Sequence, residues 1–192
     1  MEASLQPNIN FVIRRIELQV QKLSQAIEKF GERDKHLFAR VVDAVEKHDI
    51  PRARVFANEV AEIRKMERLI LRSKMALEQI LSRIIVIKTY GDALTVLPPA
   101  ARIMRAIAFQ IDSIFPESGT EIKEIRKAVC VMIVDTGEVL ISSINFGIVE
   151  KEASAIIAEI DRELEEEMEN RFPDLPTIEE IRPSHASDEA VS

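Results

Sequence analysis

Stepping alternately by four and three residues from Ile9, the chain presents Ile13, Ile16, Val20, Leu23, Ile27, Phe30, Asp34, Leu37, Val41 and Ala44. Ten of these eleven positions are apolar and no proline interrupts them. That is the 3.5-residue repeat of a helix buried along one seam. A helix over residues 9–47 would be about 58 Å long at ~1.5 Å per residue. The stretch "KHDIPRA", residues 47–53, then breaks the pattern. Asp49 is placed to cap a new helix, and Pro51 is tolerated in a first turn, where its missing N–H costs nothing. So short a connector makes the next helix double back. From Arg52 to Tyr90 the apolar positions Phe56, Val60, Ile63, Met66, Ile70, Leu77, Ile80, Ile84 and Ile87 recur at helical spacing. The pattern predicts a long antiparallel helical hairpin over residues 9–90.

Beyond it the elements shorten. Gly91-Asp92 interrupts the second helix, and Pro98-Pro99 reads as a firmer break. A helix is expected from Pro99 to Phe115, with Ile103, Ala106, Ile107 and Ile111 on one face and Pro116 as its stop. "ESGTEIKE" reads as a loop leading into a start capped at Thr120. Residues 128–149, "AVCVMIVDTGEVLISSINFGIV", carry β-branched residues and a turn signal that suit a β-hairpin. A buried helix interrupted near Gly137 is the alternative, and the helical surroundings favour it. Residues 150–171 are helical again, with Ile157, Ile160, Leu164 and Met168 as a narrow apolar stripe on an acidic helix. The expected fold class is all-α: a long antiparallel hairpin with shorter helices packed on it. Its parts are a core over 1–149 (middle helices 99–149), an acidic helix over 150–171 and a flexible tail over 172–192.

Composition agrees with long helices, with 31% charged residues, five glycines and no tryptophan. Cys130 is the only cysteine, which excludes an internal disulfide and a multi-cysteine metal site. Within "AVCVMIV" it reads as a small buried hydrophobe. No apolar run reaches the ~18 residues of a membrane span. The first ten residues lack the basic and apolar regions of a secretory signal, so a cytoplasmic location is expected. There is no phosphate-binding glycine loop, and His36, His48 and His185 have no partner at metal-ligand spacing. Asp135-Thr136-Gly137 matches the aspartic-protease triplet over three residues only. No enzyme, metal or cofactor is expected.

Charge divides the chain. Residues 1–105 hold 19 basic and 13 acidic side chains, a net of +6; residues 106–192 hold 7 and 20, a net of −13. Either the halves neutralise each other within one fold, or a basic surface serves an anionic partner and the acidic end masks it. Arg64, Arg68 and Arg72 form a stripe at i, i+4, i+8, roughly 12 Å long, with Lys65 and Lys74 adjacent. The alternative is an ordinary outer face paired with Glu62 and Glu67. Arg14, Arg15 and Lys22 add to the basic character. An anionic lipid surface would attract each such residue by about 1 kcal/mol. Leu5, Ile9, Phe11 and Val12 precede Arg14-Arg15 and suit shallow insertion into a bilayer interface, although Ile9 and Val12 also begin the seam. Val12, Leu18, Phe38, Val42 and Val45 lie off that seam, for later helices or another copy to cover. With an isoelectric point near 5.2 and one tyrosine, a nucleic-acid surface is disfavoured.

The segment "FPDLPTIEEI" carries an apolar ladder, Phe172, Leu175 and Ile178, with Pro173 and Pro176 between. It suits an extended peptide laid in a partner's groove, or one docked on the chain's own hairpin.

Together these parts resemble ESCRT-III proteins, and most of all the archaeal CdvB group, over nearly the whole chain. Local wording such as "RKMERLILRSKMALEQILSRI" and "FPDLPTIEEI" carries the resemblance beside the architecture. It implies a membrane-remodelling filament subunit of a cell-division machinery at the inner membrane face. Such a subunit switches between a closed, autoinhibited monomer and an open one, and polymerises with itself and with paralogues. Gly91-Asp92 matches the family's elbow. Phe172, Pro173, Leu175, Pro176 and Ile178 match the tail motif that binds the MIT domain of a CdvC-type AAA ATPase, although Glu179-Glu180 stand where a further proline is expected. No winged-helix-like extension of the longer members is expected, so the resemblance is to the shorter paralogues. The rival class is a helical adaptor or coiled-coil scaffold that binds proteins and never touches lipid.

Overall fold

The computed structural model describes residues 2–90, 93–137 and 146–175. They form five α-helices: α1 Glu2–Glu46, α2 Ile50–Tyr90, α3 Ala93–Ile111, α4 Pro116–Gly137 and α5 Phe146–Arg171. No strand occurs among the described residues. At ~1.5 Å per residue α1 and α2 are each over about 60 Å long, and they pack against each other as the hairpin. α3 lies on α2, α4 on α1, and α3 and α4 pack together; α5 crosses α2 and α3.

The seam lies where the periodicity puts it. Ile9, Ile16, Leu23, Ile27, Leu37, Val41 and Ala44 are buried, and Asp34 is buried among them. Two apolar clusters divide the length. The larger joins the open end of the hairpin to α3, α4 and α5. The smaller consists of Leu37, Val41, Ala44, Ala53, Phe56, Val60 and Ile63, so the hairpin tip is built from α1 and α2 alone.

The turn between the long helices uses one residue for two ends. The Asp49 N–H donates to the Ala44 carbonyl and the His48 N–H to the Val45 carbonyl, both at 2.9 Å, the paired bonds of a Schellman C-cap. The Asp49 carboxylate then accepts the Arg52 N–H at 3.2 Å, the expected N-cap of α2. His48 pays for this geometry with φ 58°, the left-handed region that costs a side-chain-bearing residue roughly 1–2 kcal/mol.

Three prolines behave differently from expectation. Pro98 and Pro99 do not begin a helix; they lie inside α3. Their missing N–H groups remove two bonds early in that helix, a loss of ~3 kcal/mol or more at an interior position. Burial of Leu97, Ile103 and Met104, each fully enclosed, outweighs it at roughly 1.5–3 kcal/mol per large side chain. Pro116 opens α4 rather than merely stopping α3, which ends at Ile111; the first helical position suits a residue without an N–H. The "ESGTEIKE" stretch is therefore helical from its start, and Thr120 is no cap. The helical alternative holds for residues 128–137, and Asp135 lies on this helix. Cys130 is half-buried rather than buried, because Ile125, Val129 and Met132 take the inward positions. α5 begins at Phe146, four residues before the acidic segment was expected to. Residues 91–92, 138–145 and 176–192, with the expected hinge Gly91-Asp92 and the tail beyond Leu175, lie outside the described residues.

Gly119 supports the close approach of α3 and α4. A Cβ there would stand 2.9 Å from the Asp112 Cα and 2.5 Å from its Oδ1. Two substitutions should therefore have opposite signs in chemical denaturation. His48→Gly should raise stability by about 0.5–1 kcal/mol by relieving the left-handed residue. Gly119→Ala should lower it, although alanine is the better helix former by about 1 kcal/mol. A destabilised His48→Gly or a stabilised Gly119→Ala would contradict these accounts.

Candidate functional site

One face of α2 places charged side chains a turn apart, and α5 answers them. Arg72 holds Asp161 through two hydrogen bonds, Nε to Oδ1 at 2.6 Å and Nη2 to Oδ2 at 2.8 Å, and Nη1 donates to Gln110 of α3 at 2.8 Å. Arg68 holds Glu165 in the same two-pronged way, at 2.8 and 3.0 Å. The partners step by four on both helices, which sets α5 antiparallel to α2 in one register. Near the start of α5, Glu150 pairs with Arg102 of α3. Between these pairs Ala153, Ile156, Ile160, Leu164 and Met168 are buried against the larger cluster.

At the end of α5 the chain crosses the hairpin. Arg171 passes over α1 at Gly31, where a Cβ would lie 3.1 Å from its guanidinium, and its Nε meets Glu67 Oε1 at 2.7 Å. Glu67 is fully buried. The contact is an ion pair rather than a well-directed hydrogen bond, and neither carboxylate oxygen has a donor aimed at it. Burial therefore drives the Glu67 pKa above its ordinary value, and the nearby Arg171 only partly offsets this. Arg64 lies one turn away. Its Nε donates to Asp34 Oδ1 at 2.7 Å, its Nη2 to Oδ2 at 3.3 Å and its Nη1 to the Pro173 carbonyl at 2.7 Å. The Phe172 ring lies 4.9 Å from its guanidinium carbon. Phe172 packs against the larger cluster and Leu175 against the smaller.

Magnitudes sort these contacts. Arg68–Glu165 is about half exposed on both sides, and such a pair is worth ~0–1 kcal/mol. Ile156, Ile160 and Leu164 each contribute roughly 1.5–3 kcal/mol by burial. The apolar stripe holds α5 down and the arginines fix where it lies. The arrangement is a clasp, with nothing in it that resembles reaction chemistry. No cluster of histidine, cysteine or carboxylates able to hold a metal occurs among the described residues.

Over 162 residues the chain is 32% identical to Cell division protein B1 of Sulfolobus acidocaldarius, covering 84% of this chain and 76% of that protein. The chain belongs to the cell division protein B family. It is also 27% identical over 162 residues to Cell division protein B of the same organism, of which it spans 62%, less than two thirds. No family model matches the chain, and no solved structure matches it.

In this member of the CdvB family, the three arginines of the expected basic stripe are thus all engaged, by α5, the tail and α1. They do not pair with Glu62, and Glu67 pairs with Arg171 instead. Lys65 is exposed beside them, and Lys74 pairs with Glu78 along α2. On α1, Arg14 and Lys22 are exposed, whereas Arg15 pairs with Glu121 of α4 at 2.8 Å and stacks near Phe11. Of the expected inserting residues, Ile9 and Val12 are in the core and Phe11 is half exposed. Leu5 lies on α1, but its side chain is outside the described residues. Pro176 and Ile178 are likewise outside them, and no helix described is long and apolar enough to cross a membrane.

Sequence reasoning missed Glu67, Arg171 and Gly31 as one unit. The available signal was Glu67 itself, four residues after Ile63 and three before Ile70, at a seam position that periodicity assigned to Met66.

Because the folded-state pKa of Glu67 is raised, its contribution is fully present below the ordinary 4.5 and is lost as pH rises through the raised value. Glu67→Gln should remove that part of the pH dependence of stability, flattening the profile just above 4.5. Denaturation of both proteins across that window checks it; superimposable profile shapes would refute the burial of an ionising Glu67.

Proposed function

We propose that this chain is a cell-division subunit that remodels membrane as a filament, and that the clasp holds it in a closed, autoinhibited form. The names of the relatives supply the division role. The observation that carries the closed form is that α5 and residues 171–173 occupy Arg64, Arg68 and Arg72 together. With α5 away, those arginines and the exposed Lys65, Arg14 and Lys22 would face an anionic membrane at its inner leaflet, and Phe11 would anchor beside Arg15. The apolar edges of the hairpin would then receive further copies or paralogues, giving open-ended polymers. An AAA ATPase of the CdvC type would take up the tail ladder through its MIT domain and disassemble them. Phe172 and Leu175 lie on the chain's own hairpin, so that uptake and closure compete for the same side chains. The adaptor reading draws on the same pairing, since a stripe that never opens needs no lipid.

The 192-residue chain carrying Ile160→Asp and Leu164→Asp should release α5 and sediment with vesicles rich in phosphatidylglycerol at low salt. Adding Arg68→Glu and Arg72→Glu should weaken this by at least about 1 kcal/mol, roughly five-fold, per arginine. Electron microscopy should show polymers on the vesicles only for the released form. If release changes neither lipid binding nor assembly, the adaptor reading stands in its place.

A further inference from the structure

Phe109 is 83% exposed, the most exposed large apolar side chain among the described residues. It stands on α3 at the edge of a cavity of about 740 Å³ that Arg102 and Arg105 of α3 and Lys123 and Arg126 of α4 also line. Arg102 and Lys123 are engaged with Glu150 and Asp112. Among the described residues Arg105 and Arg126 have no ion pair. The feature is therefore an aromatic knob flanked by two uncommitted guanidinium groups, and neither the clasp nor the core uses it.

A socket of opposite character lies elsewhere on the same molecule. Between α1 and the residues after α5 is a cavity of about 680 Å³ with Phe38, Ala39, Phe172 and Pro173 among its walls. Glu28 and Glu32 stand on its rim, one helical turn apart and both exposed. Asp34 and Arg171, which also line it, are committed to Arg64 and Glu67. Lys35 is the remaining charge, leaving a net negative rim.

We infer that Phe109 of one copy inserts into this socket on a second copy, with Arg105 and Arg126 meeting Glu28 and Glu32. Phenyl against Phe38 and Phe172 removes apolar surface from water, and the two guanidinium groups answer the two carboxylates. Knob and socket are different patches of one surface, so the contact is heterologous and repeats from copy to copy rather than closing on itself by necessity. The inference rests on the closed form, because Phe172 and Pro173 build the socket only while the tail lies on the hairpin. It assigns self-association to the closed chain, by a contact distinct from any that release of α5 would expose.

Sedimentation velocity of the full chain over a concentration series at low salt tests this. The natural protein should associate as concentration rises, and Phe109→Ala should weaken association at least ten-fold. Arg105→Glu/Arg126→Glu and Glu28→Arg/Glu32→Arg should each abolish self-association, and mixing the two should restore it, which misfolding of either could not do. A chain that stays monomeric, an unchanged Phe109→Ala, or a mixture that fails to associate would overturn the inference. So would loss of binding to phosphatidylglycerol vesicles in Phe109→Ala with association intact, since the knob would then be a lipid anchor. None of these substitutions touches Arg68, Arg72 or α5, so the outcome is independent of whether α5 release exposes a lipid surface.

Discussion

The hairpin's register and the docking of the tail both run through Arg64. Its guanidinium is shared between Asp34 on α1, the Pro173 carbonyl after α5 and the Phe172 ring. Asp34 is the one polar position among the eleven of the α1 repeat and is almost wholly buried. A carboxylate enclosed in that way must meet its partner, because an unpaired buried charge costs ~3–5 kcal/mol. Asp34 and Arg64 therefore fix the register of α1 against α2, where a uniformly apolar seam would tolerate sliding by a heptad. The same guanidinium then has a donor left over for the tail. Register of the hairpin and docking of the tail are in this way one structural event.

The hairpin was legible because its signal is long. Eleven positions at a 3.5-residue repeat leave few alternatives, and the Asp49 cap with Pro51 behind it marks the turn in four residues. The shorter helices were less legible because proline carries two meanings. Pro116 and the pair Pro98-Pro99 are equally strong punctuation in the sequence, yet one opens a helix and the others lie inside one. Deciding between these needs the burial of Leu97, Ile103 and Met104, which depends on α4 and α2 and not on local spacing. The arginine stripe was visible as a stripe, but its partners Asp161 and Glu165 lie 89 and 97 residues away; only the overall +6/−13 division hinted that they would be found there. Glu67 was hardest, since a charged residue in a charged helix looks like solvent-facing surface until the helix is placed.

The clasp is graded along its length, and the grading follows from chemistry that each residue carries in isolation. Toward the start of α5 the contacts are an exposed pair, Arg102 with Glu150, and a stripe of small and branched apolar residues. Toward its end they become a fully buried carboxylate, an arginine reaching across α1 and an aromatic ring on a guanidinium. Exposed pairs weaken over a screening length of ~8–10 Å at physiological salt, while enclosed ones are screened much less. Salt alone would therefore loosen the exposed pairs first and leave the Arg171–Glu67 end in place.

That end is also the least comfortable part of the structure. Glu67 is buried and short of directed donors, so the fold disfavours its ionised form, and Arg171 offsets this only in part. Gly31 leaves room for this reach, since a Cβ there would stand 3.1 Å from the Arg171 guanidinium. A hairpin designed for stability alone would place an apolar residue at 67 and lose nothing, since replacing buried ion pairs by well-packed hydrophobes is often neutral or better. Here the carboxyl instead ties the end of α5 to the hairpin through Arg171. Without Arg171 the enclosed carboxyl would lose its nearest opposite charge, and its ionised form would be disfavoured further. The stripe provides most of the burial, and the Arg171–Glu67 pair adds a contact that only the end of α5 makes.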